Sequence, residues 1–218
     1  MFKFFNIDSK VYQYLLKYSQ LLWVSILTLV CSIPLVTIGA SVTAMHKLLY
    51  QIRKDEETGI TRTFFRTFRD NFRQSTLIWL LCAAFFGVIY LDYTAVRAMQ
   101  NTVLGALSYV MPVILIIGLM CLVWVFVLQS RYQNTVFGTI KLAFIVGVSH
   151  PLQTLVMLIL FAAPFLLLVQ FMAYAPLALG VAFPLCGLLR AMVYSKIFQE
   201  LEQPEESAKE MEENGTER

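Results

Sequence analysis

Four stretches of this chain carry no charged residue: Leu21–Met45, Gln74–Leu91, Val103–Leu128 and Pro151–Leu189. A helix needs about 20 apolar residues to cross the hydrocarbon core of a bilayer, and all four stretches fall in that range or above it. The last is long enough for two crossings, with a hinge near Tyr174, Ala175 and Pro176, where tyrosine suits the headgroup level and proline ends a helix. The pattern predicts an all-α, polytopic helical membrane protein with about five transmembrane helices, near 21–45, 74–95, 103–128, 151–172 and 176–196. An amphipathic segment, 1–20, precedes this 21–197 transmembrane domain, and a polar tail, 198–218, follows it.

The first run has two solutions. Ile33, Pro34 and Gly39 interrupt it, so it forms either one kinked span or a hairpin in which Ser9–Ile33 goes out and Ala40 onward returns, giving six segments. At ~1.5 Å per residue the returning piece Ala40–Tyr50 reaches only roughly 16 Å against a core of ~30 Å. It also carries His46 and Lys47, and a single kinked span is therefore the expectation. Lys10 and Lys17 before the run and Ser41, Thr43 and Ala44 near its end mimic a signal peptide, but the run is too long for a signal core and is read as an anchor.

Between Ile60 and Arg73 the period changes. Ile60, Phe64, Phe65, Phe68 and Phe72 recur at helical spacing, with Arg62, Arg66, Arg69 and Arg73 on the other side, the pattern of an interfacial helix over 60–73. Thr61, after the Gly59 break, is its expected N-cap. The arginines and phenylalanines suit either the inner leaflet or a face packed on the protein's own bundle. A second such helix is expected over 135–149, where Phe137, Thr139, Ile140, Lys141 and Phe144 repeat the spacing of Phe65, Thr67, Phe68, Arg69 and Phe72. Repeated halves of this kind occur in transporters.

The chain is 58% hydrophobic and 14% charged, far more apolar than a soluble domain, and its net charge of +3 conceals an asymmetry. Residues 1–197 hold fifteen Lys and Arg against six Asp and Glu, whereas 198–218 hold two against eight, the composition of a disordered acidic tail or a frayed helix. Seven of the cations lie between His46 and Arg73, one (Arg97) in the next loop, then Arg131 with Lys141, and finally Arg190 with Lys196. Positively charged loops stay cytoplasmic, so the 46–73 loop and the C-terminus are expected on the cytoplasmic side of a cell membrane. Five spans then put the N-terminus outside, against the preference of Lys3, Lys10 and Lys17.

Candidate chemistry changes little. Cys31, Cys82, Cys121 and Cys186 fall one per apolar run without ligand spacing, and no H-E-x-x-H, G-x-S-x-G or phosphate-loop pattern occurs. The runs hold no acid or histidine in their interiors: His46 and His150 sit at boundaries, and Asp92 lies at the end of its run near Arg97. No catalytic residue, metal site, cofactor or nucleic-acid partner is expected. Pro34, Thr37, Gly39 and Ser41 are read as a helix kink with close packing, the two hydroxyls serving the freed carbonyls. Gln129, Gln153 and Gln170 suit interhelical hydrogen bonds.

Three segments taken together carry a family resemblance: Phe4-Phe5-Asn6 with Asp8-Ser9, Cys31-Ser32-Ile33-Pro34-Leu35-Val36-Thr37-Ile38-Gly39-Ala40-Ser41, and Phe64-Phe65-Arg66-Thr67-Phe68-Arg69-Asp70-Asn71-Phe72-Arg73-Gln74. They resemble the YesL-like family of integral membrane proteins of Gram-positive bacteria, with Ser25 and Thr28 standing where that pattern has Asn and Trp. The family has no assigned biochemical activity. The resemblance implies association with carbohydrate uptake, with a sugar ABC permease or a sensor kinase as partner beside membrane lipid. The resulting expectation is a non-enzymatic accessory or regulatory membrane protein, the alternative being a small transporter or channel. Partner or membrane-surface contact is expected at Phe64, Phe68, Phe72, Arg62, Arg66, Arg69 and Arg73.

Overall fold

A computed structural model describes residues 10–56, 59–98, 110–132, 134–170 and 181–216. Seven α-helices and no strand occur among them: α1 (Lys10–Cys31), α2 (Ile38–Arg53), α3 (Ile60–Ala98), α4 (Met111–Gln129), α5 (Val136–Ser149), α6 (Pro151–Gln170) and α7 (Phe183–Thr216). Three of them are long and apolar enough to cross a membrane, over Tyr12–Cys31, Ile60–Ala95 and Met111–Gln129. The pair α5 and α6, bent by 108°, adds a fourth if it counts as one broken span, which differs from the five spans expected. The hinge at Tyr174–Pro176 lies outside the described residues.

The first apolar run is a hairpin, not one kinked span. Pro34 has no N–H to continue α1 and biases Ile33 away from helical geometry, so α1 stops at Cys31 and a 3-10 turn, Leu35–Thr37, leads into α2. The Thr37 hydroxyl sits within 2.6 Å of the Cys31 carbonyl and 2.7 Å of that of Pro34, serving backbone acceptors that the break leaves open. At the far end Lys54 caps α2, Asp55 takes a left-handed φ of 56°, and its carboxylate meets Lys17 at 2.6 Å. The N-terminal half of α1 therefore lies beside the C-terminal end of α2. The segment expected as a separate 1–20 element is, from Lys10, the first turns of α1 itself.

Helix α2 returns for longer than the Ala40–Tyr50 stretch allowed, about 24 Å at 1.5 Å per residue. It lies at the centre of the bundle, packed against α1, α3, α4 and α7. Eleven of its sixteen residues are buried. This is why a helix bearing His46, Ser41 and Thr43 was illegible as a span: it faces protein, and needs no apolar coat.

The α2–α3 crossing is close. A Cβ on Gly39 would fall 2.4 Å from the Ser75 carbonyl oxygen and 3.0 Å from the Trp79 Cβ, so only glycine lets the backbones approach this far. The hydroxyls of Thr43 and Ser75 meet at 3.0 Å one turn away. Ser41 bonds back to the Thr37 carbonyl within its own helix.

The expected interfacial helix 60–73 and the span 74–95 are one unbroken helix, because nothing between Arg73 and Gln74 interrupts the ladder. Thr61 is not its N-cap: it lies inside α3 and accepts a hydrogen bond from Trp23 Nε1 at 2.9 Å, tying α1 to α3. The second element, α5, does have a side-chain cap, the Thr135 hydroxyl accepting from Gly138 N–H at 3.2 Å. It folds back along α4, with Gly147 against Met120 and Trp124, and the Trp124 indole N–H donates to the Thr154 hydroxyl of α6 at 2.8 Å.

Of the two alternatives for the tail, the described residues take the helical one: α7 runs from Phe183 through the acidic segment to Thr216. This Glu-rich stretch extends a helix already nucleated by the bundle, which removes the nucleation penalty that an isolated tail would face.

Candidate functional site

Two features of the bundle concentrate chemistry. The first is the face of α3 that the sequence singled out. Phe64, Thr67, Ser75 and Ile78 are buried along one stripe, at the spacing of three to four residues that keeps side chains on one side of a helix. Arg62, Arg66, Arg69 and Arg73 are exposed on the opposite side. Of the three phenylalanines assigned to this surface, Phe64 is fully enclosed and Phe68 and Phe72 are half-buried, stacked in sequence at centroid distances of 6.3 Å and 5.6 Å. The exposed aromatic is Phe65, which shares a surface groove with Arg62, Arg66 and Arg69. An ion pair on the face, Arg66 with Asp70 at 3.8 Å, is exposed and adds little to stability.

The arginine face belongs to one charged end of the bundle. Gln129 at the end of α4 donates to Asn71 Oδ1 at 3.4 Å and accepts from Thr139 at 3.1 Å, while Asn71 donates to the Thr67 carbonyl at 3.0 Å. Thr67 and Thr139, the matching threonines of the two repeated segments, are thus both buried and joined through Gln129. Gln74 Nε2 also bonds the Asn134 carbonyl. Nearby, Arg131 and Lys54 stand over the Tyr50 ring at 4.6 Å and 4.9 Å, above an aromatic cluster of Tyr50, Tyr194 and Phe198.

The second feature was missed in the sequence. His46, read as a boundary residue, is only 3% exposed, and Arg190, read as part of a loop exit, only 2%. They line one cavity of about 60 Å³ with Ile38, Val42, Trp79, Leu122, Val123, Phe126, Met157 and Phe161, contributed by α2, α3, α4, α6 and α7. Tyr194, one turn after Arg190, donates to the His46 carbonyl at 3.0 Å and holds its ring edge-on to the imidazole at 5.6 Å. Arg190 Nε donates to the Cys186 carbonyl at 3.3 Å and the guanidinium lies 5.7 Å from the Phe161 ring. Among the described residues no carboxylate pairs with Arg190, and His46 Nδ1 has no hydrogen-bond partner. The available signal was an arginine flanked on both sides by apolar residues, with no acid within four positions.

Pro34, Thr37, Gly39 and Ser41 lie at the opposite end of α2 from the charged cluster, where they shape the turn and the α3 crossing, and none of the four lines the cavity or the arginine groove. The four cysteines are free, and no group of three or more His, Cys, Asp or Glu residues able to hold a metal occurs among the described residues.

These observations define an all-helical bundle with several helices suited to crossing a bilayer, built around a polar central helix. Residues 16–93, from α1 through most of α3, match the family described as "Protein of unknown function, DUF624". The match therefore covers the hairpin, the Gly39 crossing and the arginine face. No curated protein and no solved structure matches the chain.

Proposed function

We propose that this protein is a non-enzymatic accessory or regulatory component of a bacterial membrane complex, which it engages through the arginine face of α3. The carrying observation is that Arg62, Arg66, Arg69 and Arg73 all point away from the bundle while the opposite stripe of the same helix does the packing. Four exposed cations, of which Arg66 has only the weak pair with Asp70, face an acidic partner or anionic headgroups at about 1 kcal/mol each near such a surface. The YesL-like resemblance supplies the partner class: a carbohydrate ABC importer or its sensor kinase.

Orientation supports this reading. The hairpin returns the N-terminal end of α1 to the end where Lys54, the α3 arginines and Arg131 collect, which removes the conflict that an odd number of crossings created with Lys10 and Lys17. By the positive-inside rule that end, with the C-terminal part of α7, faces the cytoplasm of a multi-pass cell-membrane protein.

The test is affinity purification from the native membrane in mild detergent, comparing the wild type with an Arg66→Glu, Arg69→Glu double variant. Recovery of an ABC permease or sensor kinase with the wild type and its loss with the variant is expected. Equal recovery with both rejects the arginine face. Recovery of the protein alone, together with substrate flux in liposomes, replaces this reading by that of a small transporter or channel, to which the convergence of His46 and Arg190 on one cavity gives some support.

A further inference from the structure

We infer that the cavity between α2, α3, α4, α6 and α7 binds a single oxyanion, a carboxylate or a phosphate, carried on an apolar chain, with Arg190 and His46 as its anchors. The donor set dictates the sign. Guanidinium offers only N–H donors, and among the described residues no carboxylate or carboxamide lines the cavity to counter them. An arginine kept 98% from solvent without an acid is a costly arrangement that an oxyanion relieves by accepting two parallel hydrogen bonds. His46, whose buried Nδ1 has no hydrogen-bond partner, lines the same cavity and supplies the second polar group.

Size and wall chemistry define the rest of the ligand. The space, about 60 Å³, is small and suits a compact headgroup. The other lining residues are apolar, so a free hydrated anion would lose water to walls that return nothing. The headgroup takes the enclosed space, and an acyl or prenyl chain runs out from it along the apolar lining. Ile38, on the far side of the cavity, lies about 12 Å along α2 from His46 at 1.5 Å per residue, and it and Trp79 are part-exposed, giving the chain a way out toward the uncharged end. The site stands apart from the α3 arginines and does not depend on the partner reading.

The test uses the full chain purified in a non-ionic detergent and reads tryptophan fluorescence, because Trp79 is in the cavity wall. Titration with dibromostearate, whose bromines quench at short range, is expected to give a saturable component that Trp79→Phe abolishes. Arg190→Gln should weaken it about tenfold to a hundredfold, the loss of a charge-assisted hydrogen bond pair. If that variant fails to fold, Arg190→Lys keeps the charge, loses the planar fork and should weaken binding about tenfold. Competition separates the sources: dodecyl phosphate displacing the probe where inorganic phosphate does not assigns a lipid headgroup, and displacement by inorganic phosphate assigns a free oxyanion. Quenching that never saturates, or that is unchanged in both Arg190 variants, overturns the inference.

Discussion

Helix α2 carries a histidine, a lysine, an arginine and two small hydroxyl residues in sixteen positions and is buried over eleven of them, whereas α4 has no charge in nineteen and is buried only from Val123 to Gln129. In a soluble protein the order would be reversed. Lipid tails are as apolar as leucine, so burial of apolar surface does not sort helices inside a bilayer; close backbone approach and hydrogen bonds do. Helix α2 offers Gly39, Ala40, Ser41 and Ala44 for approach and Thr43 for bonding, and takes the centre. Helix α4 offers large aliphatic side chains and leaves Val113 and Ile116 on the outside.

The contrast makes graded predictions. Gly39→Leu should have the largest effect, destabilising by about 3 kcal/mol or more because the new side chain meets the Ser75 backbone, which cannot move aside as a side-chain tip would. Thermal unfolding in detergent reads this, with Gly87→Ala as the control, since nothing within 4 Å would meet a Cβ at Gly87. Next comes Ile116→Lys, 57% exposed at the wild-type position on α4. If that face meets lipid, the change should disfavour insertion by about 3 kcal/mol, measured as the inserted fraction in microsomes; a neutral result would break the comparison at its outer half. Smallest is Tyr194→Phe, which removes the bond to the His46 carbonyl and should cost about 1 kcal/mol in a denaturing-detergent titration. An effect near zero would mean that the α2–α7 contact is held by ring packing alone.

Much of this architecture was legible in the sequence, for a physical reason that also explains the gaps. Runs that face lipid must be apolar, so the residues of α4 and the second half of α3 announce themselves. The arginines of α3 were legible because their helical spacing separates them from the phenylalanines. Helix α2 was not, since a segment enclosed by four others escapes the lipid constraint and reads as an ordinary polar boundary. His46 and Arg190 went unseen for the same reason, being 144 positions apart and joined only by the packing of α7 on α2. Phe64 shows the converse: its pattern suited a membrane surface, and only the fold reveals that it packs inward.

The central place of α2 has a consequence for how the chain is made. Its covering helices α1, α3 and α4 leave the ribosome on either side of it, but the last, α7, begins only at Phe183, and the Tyr194 hydroxyl that meets His46 lies 148 residues downstream of its acceptor. Until then the polar side of α2 has no finished enclosure, and the growing bundle stays in an unclosed form. A ribosome stalled before Phe183 would display that open seam along the membrane, the kind of surface that membrane proteases survey.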